Sequence, residues 1–416
     1  MSTYDDASLI YYPSGYKAGT AYSLKPTDGS GDLTFTRAST ATRVNSSGLI
    51  ESVATGVPRI DYTGGGCGKL LLEPQRANLA LYSEQFDNAA WFKENVTITP
   101  NAIASPSGLI DADMLVENSS NAFHAFRNTS AISATVAVHT FSIFLKTAGR
   151  RYANLSYNTT ISSYVNGFIV DLQDGVITQT VGTFSVAPSV QNYGNGWFRV
   201  SYGAALDGGS FVYVNGAASS NSLTTAGRAI YIGSGSSSFY VWGEDLQLGS
   251  YPTSYIPTTT TAVTRVADVS ATATSLFTNE GSIVVDLTEI GSQNTYVARV
   301  LQVYIDVNNV IQLTRLGTTY FFQVYNAGVL EVNISISSIT TLHNKIGIAW
   351  KTNDCKIYIN GVDKGTDTSC SLTFTPTYFG IATYFGGGTN YYANIHSVIA
   401  FPTRLSNAEL ATLTTI

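Results

Sequence analysis

Apolar and polar residues alternate with a period of two in one short stretch after another. In Phe141-Ser142-Ile143-Phe144-Leu145 the apolar positions 141, 143 and 145 share one face, and Leu33-Thr34-Phe35-Thr36 alternates strictly. Successive side chains of an extended strand point to opposite sides, so this pattern predicts half-buried β-strands. Strands are expected near residues 141–146, 152–157, 167–172, 197–202 and 239–248, and again near 283–287, 303–307, 311–313, 346–350, 356–359 and 395–401. The dipeptides Asn166-Gly167, Asp174-Gly175, Asn195-Gly196, Asn215-Gly216 and Asn360-Gly361 tolerate the positive φ of two-residue hairpin loops and read as corners between strands.

Two segments about 160 residues apart interrupt this alternation. LLLEPQRANL runs as a strand and breaks at Pro74, and WGEDLQLGSYPTSYIPT breaks at Pro252 and Pro257. Proline lacks the N–H that a ladder needs and holds its predecessor extended, so both segments read as joints between folded units. They divide the chain into 1–82, 83–258 and 259–416. The fold class expected is all-β: two antiparallel β-sandwich (jelly-roll) domains after an N-terminal β-rich attachment segment. Residues 1–82 look too thin to bury a core alone. They read as a connector that needs a neighbour, either another copy of the chain or a different assembly component, with Leu33–Thr36 as a half-buried edge strand. Near the end, Ser406-Asn407-Ala408-Glu409 fits a capping box opening a short helix before Leu410.

Composition narrows the function classes. Charged residues make up 12% of the chain, aromatics another 12%, and there are 37 glycines, which suits sheets with tight turns and polar outer faces. The formal net charge is −6, with 22 Lys+Arg and no basic run, which argues against binding nucleic acid by neutralising phosphates. No apolar run approaches the roughly 18–20 residues that cross a bilayer, and the start MSTYDDASLIYY lacks a cationic lead and apolar core, so a soluble chain without a signal peptide is expected. Cys67, Cys355 and Cys370 are too few and scattered for a thiolate metal site. Cys355 and Cys370 read as buried free thiols or as partners across neighbouring strands.

No catalytic pattern emerges, and a non-enzyme is expected. A glycosidase needs two carboxylates on one face separated by about 5–9.5 Å. Glu244 and Asp245 are adjacent and so face opposite sides, while Asp286 and Glu289 differ in parity. His124, His139, His343 and His396 each sit singly in sequence and read as satisfied strand or loop residues rather than ligands. Binding a sugar needs less: an aromatic face for the ring and a few amides for the hydroxyls. Tyr384, Phe385, Asn390, Tyr391 and Tyr392 around a triple glycine offer that mixture, as do Trp91 and Tyr152 in the middle section. Trp197, Trp242 and Trp350 lie in alternating strands and read as core.

Several pieces, in order, carry a resemblance to virion proteins of tailed bacteriophages: FTRASTATRV, GLIESV, PRIDY, LLLEPQRANL, YSEQFDNAAWFK, FSIFLKTAGRR, GNGWFRVSY and WGEDLQLGSYPTSYIPT. They span roughly two thirds of the chain. The family has Gln-Leu-Glu where this chain reads Asp245-Leu246-Gln247. The middle section resembles carbohydrate-binding modules of jelly-roll shape. The order KIGIAW, IYING and IHSVIAF, followed by a short helix, resembles a laminin-G-like, concanavalin A-like sandwich. The resemblance implies a surface-exposed virion component, a fibre or receptor-binding adhesin made in the host cytoplasm. It implies attachment to other virion proteins through the N-terminal segment, a homotrimer, and host-surface glycans as partners. The alternative is a purely architectural capsid decoration or head-fibre protein without a sugar site. No cofactor is expected. Calcium, common in laminin-G-like domains, has one candidate set of loop oxygens in Asp306, Asn308 and Asn309, for which a hairpin turn is the simpler account.

Overall fold

The expected strands form and mostly run longer than their apolar stretches: Ala137–Thr147, Tyr152–Asn158, Phe198–Leu206, Ser237–Leu248, Gly281–Glu289, Ala298–Asp306, Asn309–Leu316, His343–Trp350 and Ala393–Phe401. The computed structural model describes residues 3–17, 19–128, 136–159, 166–224, 227–272, 276–291, 297–382 and 391–416. Its strands build two sandwiches, in keeping with the all-β expectation.

The first sandwich comes almost entirely from the middle of the chain. One sheet runs, in spatial order, Trp91–Glu94, Ala125–Asn128, Phe211–Ala217, Tyr152–Asn158, Asn166–Asp171 and Val176–Val181. The facing sheet runs Val96–Ala104, Ile110–Glu117, Ser237–Leu248, Ala137–Thr147, Phe198–Leu206 and Val186–Asn192. Their inner faces enclose Leu115, Phe126, Phe141, Ile143, Leu155, Phe168 and Tyr202, all nearly inaccessible to solvent. Removing such side chains from water contributes about 1.5–3 kcal/mol each.

The second sandwich is assembled from both ends of the chain. One sheet contains Val362–Asp367, Cys355–Ile359, His343–Trp350, Gly281–Glu289, Ala393–Phe401, Lys69–Leu72 and Ile60–Asp61, with Leu9–Tyr11 also paired to Ala393–Phe401. The other contains Tyr16–Lys17, Thr20–Ala21, Leu33–Thr36, Val269–Thr272, Tyr378–Ile381, Ala298–Asp306, Asn309–Leu316, Thr319–Asn326 and Val329–Ile336. The neighbour that the N-terminal segment needs is therefore the far end of the same chain. Leu9, Tyr11, Leu33, Phe35, Leu70 and Leu72 enter one core with Ile283, Ile311, Ile348 and Trp350. Leu33–Thr36 is an internal strand, not an edge, lying between Thr20–Ala21 and Val269–Thr272.

The chain crosses between sandwiches at the proline joints. Lys69–Leu72 belongs to the second sandwich, and Arg76–Asn78, just past Pro74, pairs with Val263–Arg265 beside the first. A buried ionic cluster closes this crossing. Arg59 Nη1 is 2.7 Å from Glu73 Oε2, and Arg37 Nη1 is 3.0 Å from Asp268 Oδ1. Arg59 also pairs with Asp268, and Arg265 with Glu73. Ser254, from the second joint, donates its N–H at 2.8 Å to Glu73 Oε1. All five charged side chains are buried, so each depends on its partners.

Two of the expected corners are not corners. Asn195-Gly196 and Asn360-Gly361 have positive φ at both residues, and Gly175 turns with φ 66°, as hairpin loops require. Gly167 and Gly216 instead lie inside strands Asn166–Asp171 and Phe211–Ala217. A Cβ at Gly167 would collide with the Gly227 carbonyl oxygen, and one at Gly216 with the Tyr231 hydroxyl. Close approach, not a turn, demands glycine there. The C-terminal helix Asn407–Thr414 carries the expected capping box, with the Ser406 N–H donating to Glu409 Oε2 at 2.8 Å and the Glu409 N–H to Ser406 Oγ at 3.3 Å.

Candidate functional site

Four consecutive strands of the second sandwich, Ala298–Asp306, Asn309–Leu316, Thr319–Asn326 and Val329–Ile336, form an antiparallel meander. Their inward residues, Leu301, Val303, Ile311, Leu313, Phe322, Val324 and Val332, fill the core. Alternation then sends the intervening residues to the outer face. Register places Gln302 opposite Gln312, Gln312 opposite Gln323, and Gln323 opposite Asn333. The amides meet: Gln302 Nε2 donates to Gln312 Oε1 at 2.9 Å, Gln312 Nε2 to Gln323 Oε1 at 3.0 Å, and Gln323 Nε2 to Asn333 Oδ1 at 3.2 Å.

Three strand spacings make this row about 14 Å long. An aromatic row runs beside it, because register aligns Tyr378, Tyr304, Val310 and Tyr325. Tyr304 and Tyr378 stack, with ring centroids 5.4 Å apart and planes at 23°. On the other side lie Arg299, Thr314, Phe321 and Ser335. A depression of about 140 Å³ opens among Arg299, Gln302, Tyr304, Val310, Gln312 and Tyr325. Hydrogen bonds in one direction along the row polarise one another. Each of the three glutamine amides spends one N–H on its neighbour, and Asn333, which accepts the last bond, is exposed. Gln302, Gln312 and Tyr304 are buried within the face, so what reaches solvent is the Gln323–Asn333 end of the amide row, half-buried Tyr325 and exposed Tyr378.

The residues singled out from sequence fare differently. Tyr384, Phe385 and Asn390 lie outside the described residues. Tyr391 has no accessible surface: its hydroxyl is 3.2 Å from that of Tyr320, which in turn donates to buried Glu289 at 2.6 Å. Trp91 is likewise core, 3% exposed, with its ring 4.7 Å from Phe86 and 5.6 Å from Phe126 and its indole N–H given to the Tyr82 carbonyl at 3.2 Å. Neither presents a face on which a sugar ring could stack, because a strand aromatic of inward parity fills a sandwich. Tyr392 is half-buried at the crossing, and burial pushes its hydroxyl pKa up. Trp197, Trp242 and Trp350 are core, as their alternation implies.

Asp306 takes the hairpin role: its Oδ1 accepts the Asn308 and Asn309 N–H groups, both at 2.9 Å, and Asn309 Nδ2 at 3.0 Å. Cys355 and Cys370 are buried free thiols facing each other, with sulfurs 2.9 Å apart, and Cys67 is exposed.

A larger cavity, about 200 Å³, lies at the crossing among Arg43, Asp61, Glu73, Gln191 and Arg199. Its charges already have internal partners. Arg43 binds Glu51, Asp61 accepts the Val44 and Thr63 N–H groups, and Arg199 reaches Ser142. The amide and tyrosine rows are thus the better-built surface for an outside ligand.

No family model matches the chain, and no curated protein matches it. Solved structures similar to it include the CBM40 module of Ruminococcus gnavus IT-sialidase bound to alpha2,3 sialyllactose (15% identity, 34% of this chain, 84% of that chain, TM-score 0.29). Domain 4 of AbnA, a GH43 extracellular arabinanase from Geobacillus stearothermophilus, in complex with arabinotriose, is another (14% identity, 40% of this chain, 84% of that chain, TM-score 0.32). Domains LG4-5 of the mouse laminin alpha1 chain form a third (10% identity, 70% of this chain, 90% of that chain, TM-score 0.25). Likenesses this remote do not assign a ligand to this chain.

Proposed function

We propose that the protein is a lectin-like binder of oligosaccharides, and that a sugar lies across the accessible part of this face, over Gln323 and Asn333, with rings against Tyr325 and Tyr378. The observation that carries the reading is the in-register amide row flanked by the Tyr378–Tyr304 stack on an outer sheet face. Sugars present flat C–H faces and closely spaced hydroxyls, which are matched by aromatic rings and by side chains that both donate and accept. The amides carry no charge, so the ligand class is hydroxyl-rich rather than strongly ionic.

The resemblance to tailed-phage proteins supports placing this binding on a virion surface, in a homotrimeric fibre or receptor-binding component that meets host glycans. Residues 9–72 contribute strands to the second sandwich, so docking to other virion proteins falls to their exposed side chains rather than to a free tail. Labelled antibody on intact particles tests the location.

A glycan array probed with the wild-type chain, Tyr378→Ala and Asn333→Ala tests the site. Both residues are exposed, so their loss leaves folding intact. Binding is expected to fall at least about tenfold in each, equal to about 1.4 kcal/mol. An array on which the wild type binds nothing, or on which both variants bind as it does, sinks the sugar reading and favours an architectural role.

A further inference from the structure

The second sandwich brings together, on the outer face of its other sheet, three residues that stand far apart in sequence. Asp286 lies in Gly281–Glu289, His343 in His343–Trp350 and His396 in Ala393–Phe401, and the first of these strands sits between the other two. One ligand atom from each lies within 4.8 Å of the others. His343 Nε2 is 2.7 Å from Asp286 Oδ1, and His396 Nε2 is 2.9 Å from Thr288 Oγ1, Thr288 being the register partner of His343. The imidazole rings lie 5.0 Å apart with planes at 20°.

We propose that Asp286, His343 and His396 bind one divalent transition-metal ion of the zinc type. A hydrogen bond to Asp286 accounts for His343 and one to Thr288 for His396, but neither accounts for two imidazoles on strands two apart gathering round one carboxylate. Two nitrogens and one carboxylate oxygen suit zinc and exclude a preference for calcium or magnesium, which take oxygen. Ligands at about 2.0–2.2 Å from a tetrahedral ion stand about 3.4 Å apart, so on binding the 2.7 Å His343–Asp286 contact opens by about 0.7 Å to admit the ion while His396 leaves Thr288 and turns toward it. The His343 side chain is 42% exposed and has room to turn its ring toward the ion. Three protein ligands leave a fourth position to water or to a donor from another molecule.

The cations facing the site are Lys345, 3.8 Å from Asp286 Oδ2, and Lys69 on the strand beyond His396. Lys345 also donates to the Thr415 carbonyl at 3.1 Å, which retains its ammonium when a metal takes the carboxylate. Tyr12 borders the cluster through Ser397.

The test uses the full chain carrying Cys67→Ser, because the exposed Cys67 thiol is a competing zinc ligand. Zinc titration by calorimetry is expected to show one site per chain, weakened at least about tenfold by His343→Ala, His396→Ala or Asp286→Asn. Cobalt added to the same chain is expected to give the intense visible bands of a tetrahedral nitrogen-and-oxygen site without thiolate charge transfer. This second readout needs no change at the three ligands and so does not depend on those variants folding. Absence of zinc binding, binding unchanged in the His343→Ala/His396→Ala double variant, or a cobalt spectrum dominated by thiolate overturns the proposal.

Discussion

The two sandwiches solve one problem in opposite ways. The first takes its core from one stretch of the chain, so each strand finds its partner within the same segment. The second borrows strands from residues 9–72 and joins them to residues 265–416, with the first sandwich inserted between. A contiguous sandwich needs only its own inward-facing side chains. A split one must also bring two distant segments together, and a flexible loop of that length adds a closure cost that grows slowly with length. The crossing supplies what offsets it: buried Arg37, Arg59, Arg265, Glu73 and Asp268 tie the early segment to both joints.

The largest effect expected from this difference concerns fragments. A piece covering residues 76–263 is expected to fold alone with a cooperative melt, because both its sheets and its main core are internal, and it loses only the Val44 and Ile50 cover over Phe144, Trp197 and Trp242. Residues 264–416 alone lack Leu9, Leu33, Phe35, Leu70 and Leu72 from their core and expose two sheet edges, and are expected to be aggregated or unfolded. Mixing in residues 3–75 should restore structure. Circular dichroism and calorimetry of the three pieces check this, and a stable, soluble 264–416 would erase the contrast.

Next in size is the ionic cluster. Although burial pushes the Glu73 carboxyl pKa up, Arg265 and Arg59, with Ser254, hold it well below the usual carboxylate range. A group depressed in the folded state stabilises the fold above its ordinary pKa, and that stability is lost as pH falls through the depressed value. Glu73→Gln leaves the buried Arg265 guanidinium without a carboxylate and Arg59 with Asp268 alone, and is expected to cost about 3–5 kcal/mol at neutral pH. Two-step denaturation, with the second sandwich melting early and the first unchanged, is the outcome that matches the comparison. A uniform loss across both sandwiches contradicts it.

The contiguous sandwich was the more legible in sequence, and the reason is physical. Alternation reports which face of a strand is buried, and it located strands in both halves. It does not report which strand lies beside which when partners are hundreds of residues apart, so residues 1–82 read as a connector in search of an outside neighbour. The same blindness separated His343 from His396. The amide row was only partly in view: corners at 317–318 set Gln312 opposite Gln323, but corners at 307–308 and 327–328 alone would set Gln302 opposite Leu313 and Gln323 opposite Val332, and it takes a β-bulge in each of those hairpins to bring Gln312 and Asn333 into line. Aromatic content near glycines does not distinguish an inward Tyr391 from an outward Tyr378. Asn-Gly pairs misled twice for a related reason, since glycine serves both turns and tight packing.

A smaller effect isolates what the guanidinium partners contribute. Asp245 is as buried as Glu73 but belongs to the first sandwich, where its nearest guanidinium, on Arg199, stands 3.9 Å away and Gln247 donates to it at 2.7 Å. The amide and acid two residues apart face the same way, so the exchange relative to Gln-Leu-Glu keeps an acid–amide pair. Burial wins here and pushes the Asp245 carboxyl up to about 7, against the pull of Arg199 and Gln247. The folded state then holds a proton that the unfolded chain has released above about pH 4, so stability declines as pH rises from about 4 to about 7. Asp245→Asn keeps the shape, removes the ionisable group, and is expected to stabilise the first sandwich by up to about 4 kcal/mol at pH 8 and by almost nothing at pH 4. Urea denaturation at the two pH values measures the difference. An equal effect at both, or a loss at pH 8 like that of Glu73→Gln, would mean that Arg199 holds Asp245 ionised and that the two acids are alike after all.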